Sequence, residues 1–241
     1  MRVLRYTVAH QEDWDQFVSK SKNGIFFFQR KFMDYHQDRF GDHSLIFQND
    51  AEKWLAVLPA CRIDDFLVSH GGLTFGGILS GRSMTTPRML EIFDAFQKYA
   101  KSEGFKGVRY KAIPHMYHCH PAEEDLYALI QNKYSLQKRE VTSVVDMQNR
   151  IPLSKGRKSS ISKAKKKGIE FRETDQFPEF MKIEAQILWE KYKTKPTHST
   201  DEICLLVNLF PKNIRLFAAF HDGLMCAGTI IFEHERVHTH S

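Results

Sequence analysis

The chain contains no run of about 18 consecutive apolar residues, so no segment of it reads as a membrane-spanning helix. Its first residues, Met1-Arg-Val-Leu-Arg-Tyr-Thr, carry no apolar core of the kind a secretion signal uses. Cysteine is scarce: Cys61, Cys119, Cys204 and Cys226 stand alone, with no Cys-x-x-Cys pair. That excludes a disulfide framework and a zinc ribbon on spacing, and fits free thiols in a reducing, cytoplasmic compartment. There is no P-loop, no Gly-x-Gly-x-x-Gly turn and no Gly-x-Ser-x-Gly elbow, so the sequence signatures of nucleotide hydrolysis, dinucleotide binding and serine hydrolysis are missing. Internal repeats are absent too. What remains is a globular composition: 241 residues, 42% hydrophobic, with 19 phenylalanines, which is enough to bury a substantial core.

Acidic residues are missing from one place in particular. Between Arg150 and Lys167 there are eight Lys/Arg and no Asp or Glu. The whole chain has a net charge of +6, so the remainder without this block is −2 and the basic character is local. Residues 154–167 have helical composition and end at Gly168, a residue suited to the position after a helix. Arg157 and Lys158 fall in the first turn, where the helix dipole disfavours cations. An anion there would relieve the repulsion and use the free first-turn amides, with Ser159 and Ser160 as extra donors. Lys163, Lys165, Lys166 and Lys167 suit the far end without any ligand. The plainer reading is a solvated face or a linker.

The order of elements places this block. Residues 3–8 read as a strand and residues 11–20 as a helix carrying Trp14, Phe17 and Val18. Strands follow at 44–48, 53–62 and 66–69. A helix begins at Thr86-Pro87 and ends at Gly104, with Met89, Phe93, Phe96 and Ala100 as its apolar stripe. Residues 108–113 form a strand, 122–132 a helix and 140–147 a strand. The pattern then restarts. After the basic helix comes a strand at 169–173 and a helix with Phe177, Phe180, Ile183, Ile187 and Leu188 on one face. Ser199-Thr-Asp-Glu202 is a capping box for another helix, and His221-Asp-Gly223 is a hairpin turn between strands at 214–220 and 224–232. A last strand opens at Arg236 and is cut at Ser241. The expected organisation is α/β, with domains at 1–148 and 149–241, the second lacking its C-terminal part.

Other clusters compete for function. Residues 71–81 hold five glycines, which suits a turn and bulge or the close approach of a pantetheine or peptide. His115, His118, Cys119 and His120 have zinc-ligand chemistry, but their crowding gives a poor tetrahedral bite, so no metal is expected. His234, His238 and His240 alternate on one strand face. His238 is kept as a candidate substrate contact against a plain structural role. Lys195-Pro-Thr-His198-Ser is a polar loop between two helices. It makes His198 the weak candidate for proton acceptance or contact with an acceptor.

Three segments together resemble a known family. These are Arg157-Lys-Ser-Ser-Ile-Ser-Lys-Ala-Lys-Lys-Lys-Gly-Ile169, Lys195-Pro-Thr-His-Ser with Leu209-Phe-Pro-Lys-Asn-Ile-Arg-Leu216, and Asp222-Gly-Leu-Met-Cys-Ala-Gly-Thr-Ile-Ile-Phe232 with Val237-His-Thr239. They are similar to the second domain of the FemAB-like branch of the GNAT acyltransferase superfamily. The first half matches by element order. The resemblance implies two tandem GNAT-like domains, each a mixed sheet flanked by helices, and amide-forming acyl or aminoacyl transfer to an amine. It implies no tightly bound cofactor, an aminoacyl-tRNA or acyl-CoA donor, and an amine-bearing acceptor such as a cell-wall precursor. Arg157, Lys158, Ser159 and Lys163 would then contact donor or acceptor phosphate. The Arg/Gln-x-x-Gly-x-Gly/Ala pyrophosphate loop is absent, and Gly77-Ile-Leu-Ser-Gly-Arg-Ser stands where the first domain would place it. The rival is a non-catalytic RNA- or phosphate-binding module built on the helix at 154–167.

Overall fold

A proline sets the boundary between the first two sheets. Strand β4 (Trp54–Leu58) and strand β5 (Ala60–Ile63) are separated by Pro59 alone. Proline has no N–H for the ladder, so pairing breaks there and the chain passes into another sheet. The Pro59 carbonyl is still used, accepting from the His70 amide at 2.9 Å. The structure, a computed structural model of the chain, describes residues 1–234 and 237–240, with 238–240 as backbone only. It is a mixed α/β fold with seven α-helices and three four-stranded sheets among the described residues.

The chain divides into two compact units, Met1–Ser135 and Leu136–Ser241. In the first unit, β1 (Arg2–Arg5), β3 (Leu45–Gln48), β4 and β7 (Leu79–Ser80) form an antiparallel sheet in that order. β2 (Gly41–Asp42), β5, β6 (Phe66–Ser69) and β8 (Gly107–Arg109) form the second, with β6 and β8 parallel. Helix α3 (Thr86–Ser102) buries Met89, Ile92, Phe93, Phe96 and Ala100, the spacing of one helix face. They pack on Leu45, Phe47, Ala56 and Leu58 and on Ala128 of α4 (Glu124–Gln131). Burying each Phe of this stripe is worth about 1.5–3 kcal/mol. Helix α1 (Gln11–Lys20) buries Trp14 and Val18, and the Trp14 indole donates to the Phe28 carbonyl at 2.8 Å.

Charge is buried in this unit only with partners. Arg30 of α2 (Arg30–Met33) is 2% exposed. Its guanidinium donates to Asp34 at 2.5 Å, to Asp42 at 3.1 Å and to Ser44 Oγ at 3.3 Å, and lies 3.8 Å over the Tyr6 ring. Lys22 donates to both Glu124 oxygens at 2.7 and 2.8 Å. Burial alone would raise the Glu124 carboxyl; the Lys22 hydrogen bonds and charge, with a backbone hydrogen bond and His120, together outweigh it and hold it below its usual range.

The second unit has one antiparallel sheet, ordered β12 (His238–His240), β11 (Leu224–Glu233), β10 (Ile214–His221), β9 (Glu170–Thr174). Ile214, Leu216, Ala218 and Phe220 alternate onto its buried face. Also buried are Phe180 and Met181 of α6 (Phe177–Tyr192) and Ile203 and Leu206 of α7 (Thr200–Leu209). The expected capping box is present: Ser199 Oγ accepts from the Glu202 amide at 3.2 Å, and Glu202 accepts from the Ser199 amide at 2.7 Å. Asp222 and Gly223 both take positive φ, 49° and 78°, as a two-residue hairpin turn requires.

Three expectations from the sequence are corrected. Residues 140–147 form no strand; Val141, Val144, Val145 and Met147 are exposed, so the alternating apolar pattern there finds no partner. The α6 stripe runs through Phe177, Phe180 and Met181, while Ile187 is 51% exposed. The long strand at 53–62 is split by Pro59. The expected division at 148/149 lies within residues 136–154, which carry neither helix nor strand.

Two predictions follow from packing. A Cβ at Gly228 would meet the Phe180 ring at 2.7 Å, so Gly228→Ala overpacks the contact between α6 and the sheet. The expected loss is about 1–3 kcal/mol of stability, read from denaturant midpoints. His70 is 4% exposed, and burial pushes its imidazole down from 6.5 to about 3. The unfolded chain therefore binds the extra proton between those values. Stability from the neutral ring is full above about pH 6.5 and declines as pH falls toward about 3, with a slope of up to about 1.4 kcal/mol per pH unit. His70 has a positive φ of 44°, which Asn tolerates. His70→Asn should flatten the pH dependence of the unfolding midpoint between pH 6.5 and 4. An unchanged profile would show that this ring contributes nothing to it.

Candidate functional site

Helix α5 (Lys155–Lys166) forms where the basic block predicts it, and its ends explain why. Ser154 caps the start, its Oγ accepting from the Arg157 amide at 3.3 Å. At the far end Gly168 has φ +76°, the left-handed conformation that glycine adopts without strain. The Gly168 amide donates to Lys165 and the Ile169 amide to Ala164, both at 3.1 Å, closing the last turn. Each end of the helix is therefore closed by a local hydrogen bond.

The rest of the helix is held by little. No residue of α5 is buried, and Ile161 is 46% exposed. The helix carries Lys155, Arg157, Lys158, Lys163, Lys165 and Lys166, with no carboxylate in its first turn. None of these side chains forms an ion pair among the described residues. Isolated helices of this length are marginal in water, and like charges one turn apart weaken them further. The first-turn cations oppose the dipole by about 0.3–1 kcal/mol each.

Helical periodicity sorts the cations into faces. At 3.6 residues per turn, Lys155, Lys158, Lys163, Lys165 and Lys166 share an arc of roughly 160°, with Ser159 and Ser162 between them. Arg157 falls on the other side, in line with Ile161 and Ala164 at i+4 and i+7. Of the expected phosphate contacts, Lys158, Ser159 and Lys163 therefore lie on one broad face and Arg157 does not. The cationic face runs about 18 Å along the helix.

His198 is half buried in the loop between α6 and α7. His238 pairs with Glu233 in the β11–β12 ladder, and its side chain lies outside the described residues. Cys119 is tied by its amide to the Lys22 carbonyl at 2.6 Å, and burial lowers the pKa of His118. Among the described residues no group of three or more His, Cys, Asp or Glu side chains is placed to hold a metal. No helix among them is long and apolar enough to cross a membrane.

The glycine-rich segment has an internal partner that spacing did not reveal. Gly77 has φ +116°, and a Cβ there would lie 2.8 Å from the Tyr110 hydroxyl. That hydroxyl accepts from the Ile78 amide at 2.8 Å and donates to Asp125 at 2.7 Å. Burial pushes the Tyr110 hydroxyl well above its usual range and the Asp125 carboxyl up from its own. The Ile78 amide, which an extended ligand would need for strand-like pairing, is thus already bonded to a side chain.

Comparison with solved structures finds the same mixed α/β fold in two other proteins. The chain superposes on FemX with a TM-score of 0.53 and 13% identity, covering 92% of this chain and 58% of FemX. It superposes on L-PGS from Bacillus licheniformis with a TM-score of 0.54 and 11% identity, covering 94% of this chain and 62% of L-PGS. The chain thus spans about three fifths of the length of each. Neither a protein-family model nor a curated protein matches the sequence.

The weak tethering of α5 has a measurable consequence. In hydrogen–deuterium exchange its amides should exchange far faster than those of β10, which lies inside a sheet, and should slow on adding a polyanion. Protection equal to β10 in dilute buffer would contradict the absence of supporting contacts.

Proposed function

We propose that the chain takes part in amide-forming aminoacyl transfer, with an aminoacyl-tRNA as donor and an amine as acceptor. The observation that carries this reading is the face of α5: five lysines on one side of a helix that buries nothing and has no counter-charge. A regular row of cations suits a phosphate backbone, whose binding is driven by release of its counterions. The fold shared with FemX and L-PGS is consistent with the class of chemistry that the sequence resemblance implies. An acyl-CoA donor fits less well. In the first unit the pyrophosphate loop is missing, and the Ile78 amide is occupied by Tyr110.

The reaction requires little covalent participation by the protein. A neutral amine attacks the ester carbonyl, a C–N bond forms, the C–O bond to the ribose breaks, and the ribose oxygen leaves with a proton. Positioning and backbone electrostatics supply most of the acceleration in such a step. His198 is the side chain proposed to meet the acceptor amine. The cytoplasmic location follows from the need for charged tRNA.

The second reading, an RNA-binding module without turnover, uses the same helix. Transfer of a labelled amino acid from charged tRNA to an amine acceptor separates the two, because only the first reading gives product. For both readings, Lys158→Ala, Lys163→Ala and Lys166→Ala should each weaken tRNA binding several-fold. Arg157→Ala should weaken it less, since it lies off the face. With about five phosphate contacts, log affinity should fall with log salt at a slope of about −3.5 to −4.5. A flat salt response, or equal affinity in all variants, would leave α5 as a solvated face.

A further inference from the structure

We propose that the first unit binds a nucleoside phosphate in the cavity between α1, the β3–β4 turn and the start of α3. The cavity has a volume of about 590 Å³. That is within the range of small-molecule sites, about 300–1,000 Å³. Its apolar lining comes from Phe17, Trp54, Leu55 and Met84. Phe17 and Trp54 are half buried, with ring centroids 6.2 Å apart and planes at 47°. Aromatic surface of this kind is what a planar base stacks on.

The charges on the same cavity are unequal. Lys20 ends α1, Lys53 precedes β4 and Arg88 stands in the first turn of α3, and all three line the cavity. They come from three separate elements, and none forms an ion pair among the described residues. Of the two carboxylates on the lining, Glu52 is paired with Arg2 at 3.2 Å, which leaves Asp13. Asp13 sits in the first turn of α1, where the helix dipole already offsets its charge.

The third contribution is the backbone. Gly81, Ser83 and Met84 on the lining lead into α3. That helix is 17 residues long, its N-cap Thr85 makes no side-chain cap bond, and its first turn has no acid. Three unpaired cations beside the positive end of that helix suit a phosphate. A bare anion would leave the aromatic wall unused. A nucleoside phosphate uses both, with the base against Phe17 and Trp54 and the phosphate toward Arg88. The cavity is built entirely from the first unit, so this site stands whether or not the chain transfers an aminoacyl group.

The test uses the whole chain. AMP, GMP, CMP and UMP, the matching nucleosides and inorganic phosphate are titrated by calorimetry, with tryptophan fluorescence as a second readout. At least one nucleotide should bind tenfold or more tighter than its own nucleoside and than phosphate. Arg88→Ala and Lys53→Ala are exposed changes that leave the fold intact by circular dichroism, and each should weaken that nucleotide at least fivefold. Lys166→Ala on α5 should leave its affinity unchanged. The proposal is overturned if no nucleotide binds, if phosphate binds as well as the nucleotide, or if Lys166→Ala lowers affinity while Arg88→Ala does not.

Discussion

The guanidinium of Arg30 is the interaction that orders the first unit. It is almost fully buried, yet its two terminal nitrogens reach Asp34, Asp42 and Ser44, and its plane covers Tyr6. Its backbone amide is held by Asp15 from α1. One side chain thus joins α2, β2 and the end of β1, while the residue's main chain binds α1. Removing a partner from such a group would strand a buried charge, which costs far more than an exposed ion pair contributes. The same rule explains Lys22 with Glu124.

The second unit handles charge in the opposite way. On α5 the cations are neither buried nor paired, and the helix is closed only by its end caps. Such a helix contributes little to folding and keeps its charge available. The cavity beside α1 and α3 repeats the theme on a smaller scale, with unpaired cations gathered over an aromatic floor.

Local features were legible in the sequence because their causes are local. The Ser199–Glu202 box, the Gly168 terminus, the Asp222-Gly223 turn and the α3 stripe each depend on residues within one or two turns of one another. The α5 block was legible for the same reason. Its division into faces also follows from the 3.6-residue period, although spacing along the chain had drawn attention to Arg157 first. The strand at 140–147 was misread because its alternating pattern states only that a partner would be accepted, and no strand pairs with it.

The sequence by itself determined the alternation of helices and strands, the single basic helix and the absence of a pyrophosphate loop from the first half, since each is written in neighbouring residues. Only the tertiary structure decided that Tyr110 bonds the Ile78 amide, that Pro59 divides two sheets, and that Lys20, Lys53 and Arg88 line one cavity. These bring together residues from 32 to 68 positions apart. The free energy that joins them comes from burying shared apolar surface, which is non-directional, so no local pattern in the chain announces which distant side chains will meet.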